Sequence, residues 1–357
     1  MKKIISILLI AVMLVCFASC EKPVADVAER YGYDLENYLT LPDYIGIPIE
    51  SFSDEVTDAE IEQQIFMYRL EYAEATETVE RAAGLYDKVN IDYAGYMDGE
   101  QFSGGTAKGQ ELVLGSGSFI AGFEDGILGA MPGDTVTLEL HFPDPYQNNL
   151  SLSGKPVTFV VTVNKIYSLE IPEYTDDFVK EHYKYDTTSD FEAALRSAVQ
   201  STKTNSKTNN DMNAALDFLI GGTEVKKYPQ KEYDELYDSW IDYYTYYAKQ
   251  KDMELDEYVT TELKYASADD FRDELAENTK SEMKEEMALY AVARRENITV
   301  TDEEYTARAL EVAKQYGLST VEEIEQYIDP ADIRDNVLFS KVLAFIVEKA
   351  NVTVADK

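Results

Sequence analysis

Residues 114–129 read Leu114-Gly-Ser-Gly-Ser-Phe-Ile-Ala-Gly-Phe-Glu-Asp-Gly-Ile-Leu-Gly129, and this stretch decides the fold. Gly115-Ser-Gly117 is a strand-to-helix turn. It is not a phosphate loop, because no Gly-Lys-Ser/Thr follows at the required spacing. On either side lie short β-prone runs, Val89–Tyr93, Glu111–Leu114, Thr135–Phe142 and Val157–Ile166, separated by Gly- and Asp-rich turns. Asp98-Gly99 is a hairpin signal. The run Thr135–Phe142 alternates polar and apolar residues, as a strand with one wet face does. Twelve of the 18 glycines fall in residues 95–154, which confines the turn-rich β portion to the middle of the chain.

Helical patterns lie outside that portion. Thr57 with Glu60 forms a capping box for a helix over residues 57–75, with Ile61, Ile65, Tyr68 and Tyr72 on one face. After Pro172 strand signals almost vanish. Ser189/Glu192, Thr301/Glu304 and Ser319/Glu322 are further capping boxes, each opening an apolar-periodic segment. Helices are expected over 175–183, 189–220, 229–250, 267–296, 301–316, 319–328 and 331–350, with the polar stretch Ser201–Asn210 interrupting or exposing the second. In the third, Tyr233, Leu236, Tyr237, Trp240, Ile241, Tyr244 and Tyr247 follow a core spacing, whereas Tyr243 and Tyr246 fall elsewhere. Tyrosine, with a broad apolar body and a polar tip, also suits loose contact with unfolded chains.

The 357 residues include 32 Lys+Arg and 68 Asp+Glu, a formal net charge of −36. Such an excess argues against nucleic-acid binding through phosphate neutralisation and against docking on an anionic membrane through protein charge. The first 20 residues, MKKIISILLIAVMLVCFASC, have a basic start and a short apolar run, which fits a secretory signal rather than a spanning helix. Small residues before Cys20 resemble a bacterial lipoprotein signal, so Cys20 is the expected lipidation site and 1–19 the signal peptide. Cys16 and Cys20 are the only cysteines, and His141 and His182 the only histidines. A disulfide framework, a zinc centre and a His-based triad are therefore disfavoured, and no cofactor or metal is expected. Residues 20–44 read as a polar tether. The paired acids Glu124-Asp125, and Asp144, read as a solvated surface.

Three further stretches extend the pattern: Val89-Asn-Ile-Asp-Tyr-Ala-Gly95, Asp98-Gly-Glu-Gln-Phe-Ser-Gly-Gly105 and Phe142-Pro-Asp-Pro-Tyr146. With residues 114–129, their order and spacing resemble an FKBP-type peptidyl-prolyl isomerase domain, most closely that of trigger factor. Tyr44-Ile-Gly-Ile47, Val300-Thr-Asp-Glu-Glu304 and Lys341-Val-Leu-Ala-Phe-Ile346 resemble the remainder of that family. The resemblance covers roughly residues 41–350. It implies an α+β protein: a connecting strand and helix over 45–80, an FKBP-like antiparallel sheet domain over 86–168, and a helical trigger-factor-like chaperone domain over 169–357.

It further implies a cup for proline built from Tyr93, Phe102, Phe119, Ile120, Phe123, Tyr146 and Phe159. Phe123 would be the floor, Ile120 would offer its backbone N–H to the substrate carbonyl, and Tyr146 its hydroxyl. Ser103 and Gln110 depart from the family pattern, standing where Asp or Glu and an aromatic are usual, and imply reduced activity. The implied partners are unfolded or proline-containing exported polypeptides and, through Cys20, the cell membrane. A secretion signal and tether in place of a ribosome-docking domain imply an extracytoplasmic relative, with neither ribosome nor nucleic acid as partner. The alternative is a non-catalytic holdase with a degenerate FKBP module.

Overall fold

The computed structural model describes residues 31–78, 81–144, 146 and 148–354. The expected signal peptide, Cys20 and the first part of the expected tether lie outside the described residues. In chain order the elements are β1 (Leu39–Thr40), β2 (Pro48–Ser51), α1 (Asp58–Leu70), β3 (Glu74–Thr78), β4 (Lys88–Met97), β5 (Glu100–Val113), β6 (Thr135–His141) and β7 (Pro156–Glu170). Then follow α2 (Asp176–Tyr183), α3 (Thr188–Gly222), β8 (Glu224–Val225), α4 (Gln230–Gln250), α5 (Leu255–Thr261), α6 (Ala268–Glu296), α7 (Asp302–Gln315), α8 (Val321–Ile324), α9 (Pro330–Lys349) and β9 (Asn351–Val354). The α+β organisation expected from the sequence is present: a β-sheet domain, then a helical domain. Residues Asp54–Lys203 form one compact unit, and the described residues on either side of it form another.

The first unit is built on an antiparallel sheet of order β3-β7-β4-β5, with β6 also paired to β7. Asp98 and Gly99, both at positive φ (51° and 83°), turn β4 into β5 and fix Met97 opposite Glu100. The Thr57/Glu60 capping box opens α1 as expected, but the helix stops at Leu70 rather than 75. Residues Glu74–Thr78 leave it to pair with Ile166–Glu170 at the sheet edge. The β-branched Thr76 suits that pleated surface better than a helix. Ile61 and Ile65 of α1 pack with Phe178 and Val179 of α2 and with Phe191 and Leu195 of α3.

α3 starts one residue earlier than expected and its cap lies two residues earlier, since Thr187 Oγ1, not Ser189, accepts the Asp190 N–H at 3.1 Å. The polar stretch Ser201–Asn210 does not interrupt α3. Its side chains find partners both distant and local: Lys203 Nζ donates to Glu60 (2.8 Å) and Lys207 Nζ to Ser51 (2.9 Å), while Lys207 also donates to Asp211 one turn on (2.6 Å).

The second unit has its core along α6, where residues Met287–Val292 include groups almost wholly removed from solvent. Here the expectation of a tether over 20–44 is corrected for residues 31–44. Tyr31, Leu35, Leu39 and Tyr44 are buried in that core. The Tyr31 hydroxyl donates to Glu286 (3.0 Å), the Tyr44 hydroxyl to Glu296 (2.6 Å), and Arg294 reaches the Tyr33 carbonyl (2.6 Å). β2 pairs in parallel with β9, and β1 pairs antiparallel with β8. The capping box of α8 is Thr320/Glu323, one residue beyond the expected pair. Tyr237, Trp240, Ile241 and Tyr244 of α4 pack against Val259, Phe271 and Leu275, as their spacing predicts. Tyr247 does not join them and is exposed beside Tyr246. No helix among the described residues is long and apolar enough to cross a membrane.

Candidate active site

The rings singled out in the sequence come together on one face of the sheet. Tyr93 comes from β4, Phe102 from β5, Phe159 from β7, Phe119, Ile120 and Phe123 from the turn after β5, and Tyr146 from the segment after β6. Phe123 is fully buried and Phe159 nearly so, at 0% and 6% exposure. Tyr93, Phe102, Phe119, Ile120 and Tyr146 are half-buried around them. A dry floor with partly open walls is the form of a cup rather than of a closed core.

The ring geometry is specific. Phe119 stacks on Phe123 at 4.3 Å between centroids and 19° between planes. Tyr93 meets Phe119, Phe123 and Phe159 edge-on at 5.5, 5.8 and 5.9 Å, and Phe159 meets Phe123 edge-on at 5.2 Å. These are the arrangements that the ring quadrupole favours. Burial, and secondarily the neighbouring Tyr146 hydroxyl, push the Tyr93 phenol above its ordinary value, so it stays neutral. Phe102 fits only because two positions lack side chains. A Cβ on Gly95 would lie 2.6 Å from Phe102 and 2.7 Å from Phe159, and one on Gly105 2.5 Å from Phe102.

Two polar groups belong to residues that pack against this apolar surface. No acceptor among the described residues takes the backbone N–H of Ile120, although Phe123 N–H donates back to the Ile120 carbonyl at 3.1 Å. The Tyr146 hydroxyl is met by the Asn148 amide only at 3.5 Å, and its segment is fastened by the Tyr146 N–H donating to Ser153 Oγ (2.8 Å).

Ser103 and Gln110 are not part of the cluster. Both are exposed on β5, and the Gln110 side-chain amide donates to the Glu111 carbonyl at 2.9 Å. Two residues of the site escaped sequence reasoning. Phe142, nearly buried, meets Phe102 at 5.9 Å and Tyr146 at 5.0 Å; its membership of the Phe142–Tyr146 motif was the available signal. Glu124, expected on a solvated surface, is 8% exposed and accepts hydrogen bonds from the loop that carries Phe119. Asp125 and Asp144 are exposed, as expected.

Rotation about a peptide bond faces a barrier of about 18–20 kcal/mol, and X–Pro exchange takes about tens to hundreds of seconds unaided. No bond is made or broken, so neither a nucleophile nor an acid–base pair is needed. A water-excluding ring cup lowers the polarity around the amide, which disfavours its planar, charge-separated form relative to the twisted one. A fixed N–H donor orients the carbonyl. The ring cluster and the Ile120 amide are groups of those two kinds. Among the described residues no cluster of His, Cys, Asp or Glu is arranged to hold a metal ion.

Comparison with known proteins agrees with this geometry. Residues 79–164 match the FKBP-type peptidyl-prolyl cis-trans isomerase family, and residues 187–348 match the bacterial trigger factor protein C-terminus. Trigger factor 1 of Desulfitobacterium hafniense is 31% identical over 314 residues, covering 87% of this chain and 72% of that protein. Trigger factor of Acetivibrio thermocellus is 29% identical over 315 residues, with the same coverage of 87% and 72%. Trigger factor of Bacillus cereus strain AH820 is 30% identical over 312 residues, again covering 87% and 72%. With an FKBP-type domain and a helical trigger factor C-terminus in one chain, this protein belongs to the trigger factor family.

Proposed function

We propose that the cup catalyses cis–trans isomerisation of X–Pro bonds in unfolded polypeptides, and that the protein chaperones exported chains at the bacterial cell envelope, held to the membrane by lipid on Cys20. The carrying observation is the pairing of the buried Phe123 floor with an Ile120 N–H that no described residue accepts. Ser103 and Gln110 are exposed on β5, and the ring cluster is assembled without them. The envelope address rests on the sequence of residues 1–20 alone.

A protease-coupled assay with a proline peptide tests the chemistry on the purified chain from residue 21. A rate above buffer supports the isomerase, and its absence overturns it. Suppression of aggregation of an unfolded protein tests the chaperone part separately. For the address, replacing Cys20 by Ser should move the protein from the membrane fraction to the soluble one. An unchanged distribution would overturn the lipid anchor.

A further inference from the structure

Glu124 directly follows the floor residue Phe123, yet its carboxylate does not turn to water. Oε2 accepts the N–H of Gly115 (2.7 Å) and of Gly117 (3.0 Å). Oε1 accepts the N–H of Ser118 (2.8 Å), the N–H of Phe119 (3.2 Å) and the Ser116 hydroxyl (3.2 Å). Among the described residues no cation pairs with it, so loop donors alone hold the charge. Gly115 and Gly117, at φ +90° and +71°, turn the backbone so that successive amides converge. This is an anion-binding nest whose anion is supplied by the chain itself.

We infer that Glu124 is a positioning residue that, by taking the amides that precede it in the rim loop, leaves the Ile120 N–H open to a substrate carbonyl; the inference rests on the isomerase reading above. The Ser116 N–H is taken by the Val113 carbonyl at 3.1 Å, and the amides of 115, 117, 118 and 119 are taken by Glu124. Ile120 is the first amide of the loop left without an acceptor among the described residues. The carboxylate also draws the loop toward the residue beside it, so the Phe119 ring lies on Phe123 at 4.3 Å. From α1, Gln63 braces the same loop by donating to the Ser116 carbonyl at 3.0 Å. Gln63 lies outside residues 79–164, the span that matches the isomerase family.

The decisive variant is Glu124→Gln in the full chain. The amide has the carboxylate's shape, but its NH2 must face one half of the loop, where it meets N–H donors in either orientation. The probe is N-acetyl-Ala-Phe-Pro-Phe-amide, with the fraction folded fixed by circular dichroism. The expected result per folded molecule is a loss of about ten- to a hundredfold in kcat/KM, in line with the cost of a misplaced positioning group, accompanied by weaker peptide binding. A merely structural role would lower the folded fraction and leave both quantities unchanged in the folded molecules. That outcome overturns the inference.

Backbone amide NMR separates this from failure of the isomerase reading. If the unaltered chain shows no isomerase rate, catalysis is refuted, and peptide titration decides the positioning claim. A peptide-induced shift at the Ile120 amide that weakens in Glu124→Gln supports it, and no shift or an unaltered one refutes it. If Glu124→Gln does not fold, the exposed Gln63→Ala decides. Weaker peptide binding by about threefold is expected there, and unchanged binding overturns the claim.

Discussion

The ring of Phe119 lies nearly parallel to that of Phe123, 4.3 Å away, although the first is half-exposed and the second has no exposed surface. One residue thus closes the bottom of the cup while its neighbour forms part of the wall. Phe159 and Tyr93 meet the same floor edge-on at 5.2 and 5.8 Å. Removing the floor therefore loosens three walls at once.

Phe123→Ala is expected to abolish isomerisation of a proline peptide and to destabilise the sheet unit by about 3–5 kcal/mol, the usual cost of deleting a buried phenyl ring. The helical core along α6 is assembled from other residues, so suppression of aggregation by the same variant should persist. Parallel isomerase, aggregation and thermal-unfolding measurements check this. Joint loss of both activities without loss of the helical signal would show that the two functions share one surface.

Gly105→Ala tests the wall. The added Cβ would lie 2.5 Å from the Phe102 ring, so the ring must move out of its slot. The expected cost is about 1–3 kcal/mol of stability, as for other overpacked sites, with a drop in isomerase rate. Gly104→Ala is a poor control because Gly104 has φ +83°, where alanine is strained for a different reason. Ala107→Gly, on the same strand and outside the ring cluster, serves better. Equal rates for Gly105→Ala and the unaltered chain would show that Phe102 is not a working wall.

The rings of the cup were legible because the family spacing fixes them and each element arrives where an alternating or turn-rich sequence says it should. Glu124 was not legible. A carboxylate in an acidic pair reads as solvent-facing, and its burial depends on amides aimed by the backbone of another segment. Residues 31–44 were misread for a related reason. Tyr31, Leu35, Leu39 and Tyr44 follow no single helical or strand period, and their burial is dictated by α6 far along the chain. The helical pattern of α1 runs on to Tyr72, and the pairing of Glu74–Thr78 with β7 decides against a helix up to residue 75. Local pattern specified the regular elements; long-range partners specified the exceptions.

Acid sensitivity is expected at the start of α1. The hydrogen bond from Lys203, and after it the Thr57 N–H, hold the Glu60 carboxyl down at about 2 against an ordinary 4.5. Its folded-state value lies below the unfolded one, so its contribution is present in full above pH 4.5 and is lost as pH falls toward 2. The side chain is 40% exposed, and with solvent screening the contribution is about 1 kcal/mol or less. Glu60→Gln should lower the urea midpoint near neutral pH, and the gap to the unaltered chain should close at the acid end of that window. A gap independent of pH would assign the effect to the cap geometry instead.

The outer face of α4 is where unfolded chains are expected to be held. Tyr246 and Tyr247 are 56% and 43% exposed, and Tyr247 packs on the half-buried Tyr243 at 4.8 Å, which leaves an aromatic ladder facing solvent. Asp238 and Asp242 are exposed on the same helix, so the ladder carries negative charge around it. Replacing Tyr246 and Tyr247 together by Ser should weaken suppression of aggregation while changing stability by no more than about 0.5 kcal/mol, as surface substitutions do. The proline-peptide rate should not change, because the cup is built from β4, β5, β7 and the turns around them. A basic client should be protected better than an acidic one, and added salt should narrow that difference, since exposed charges are screened over about 8 Å at physiological ionic strength. Equal protection of the two clients at low salt would show that the ladder holds chains by apolar contact alone.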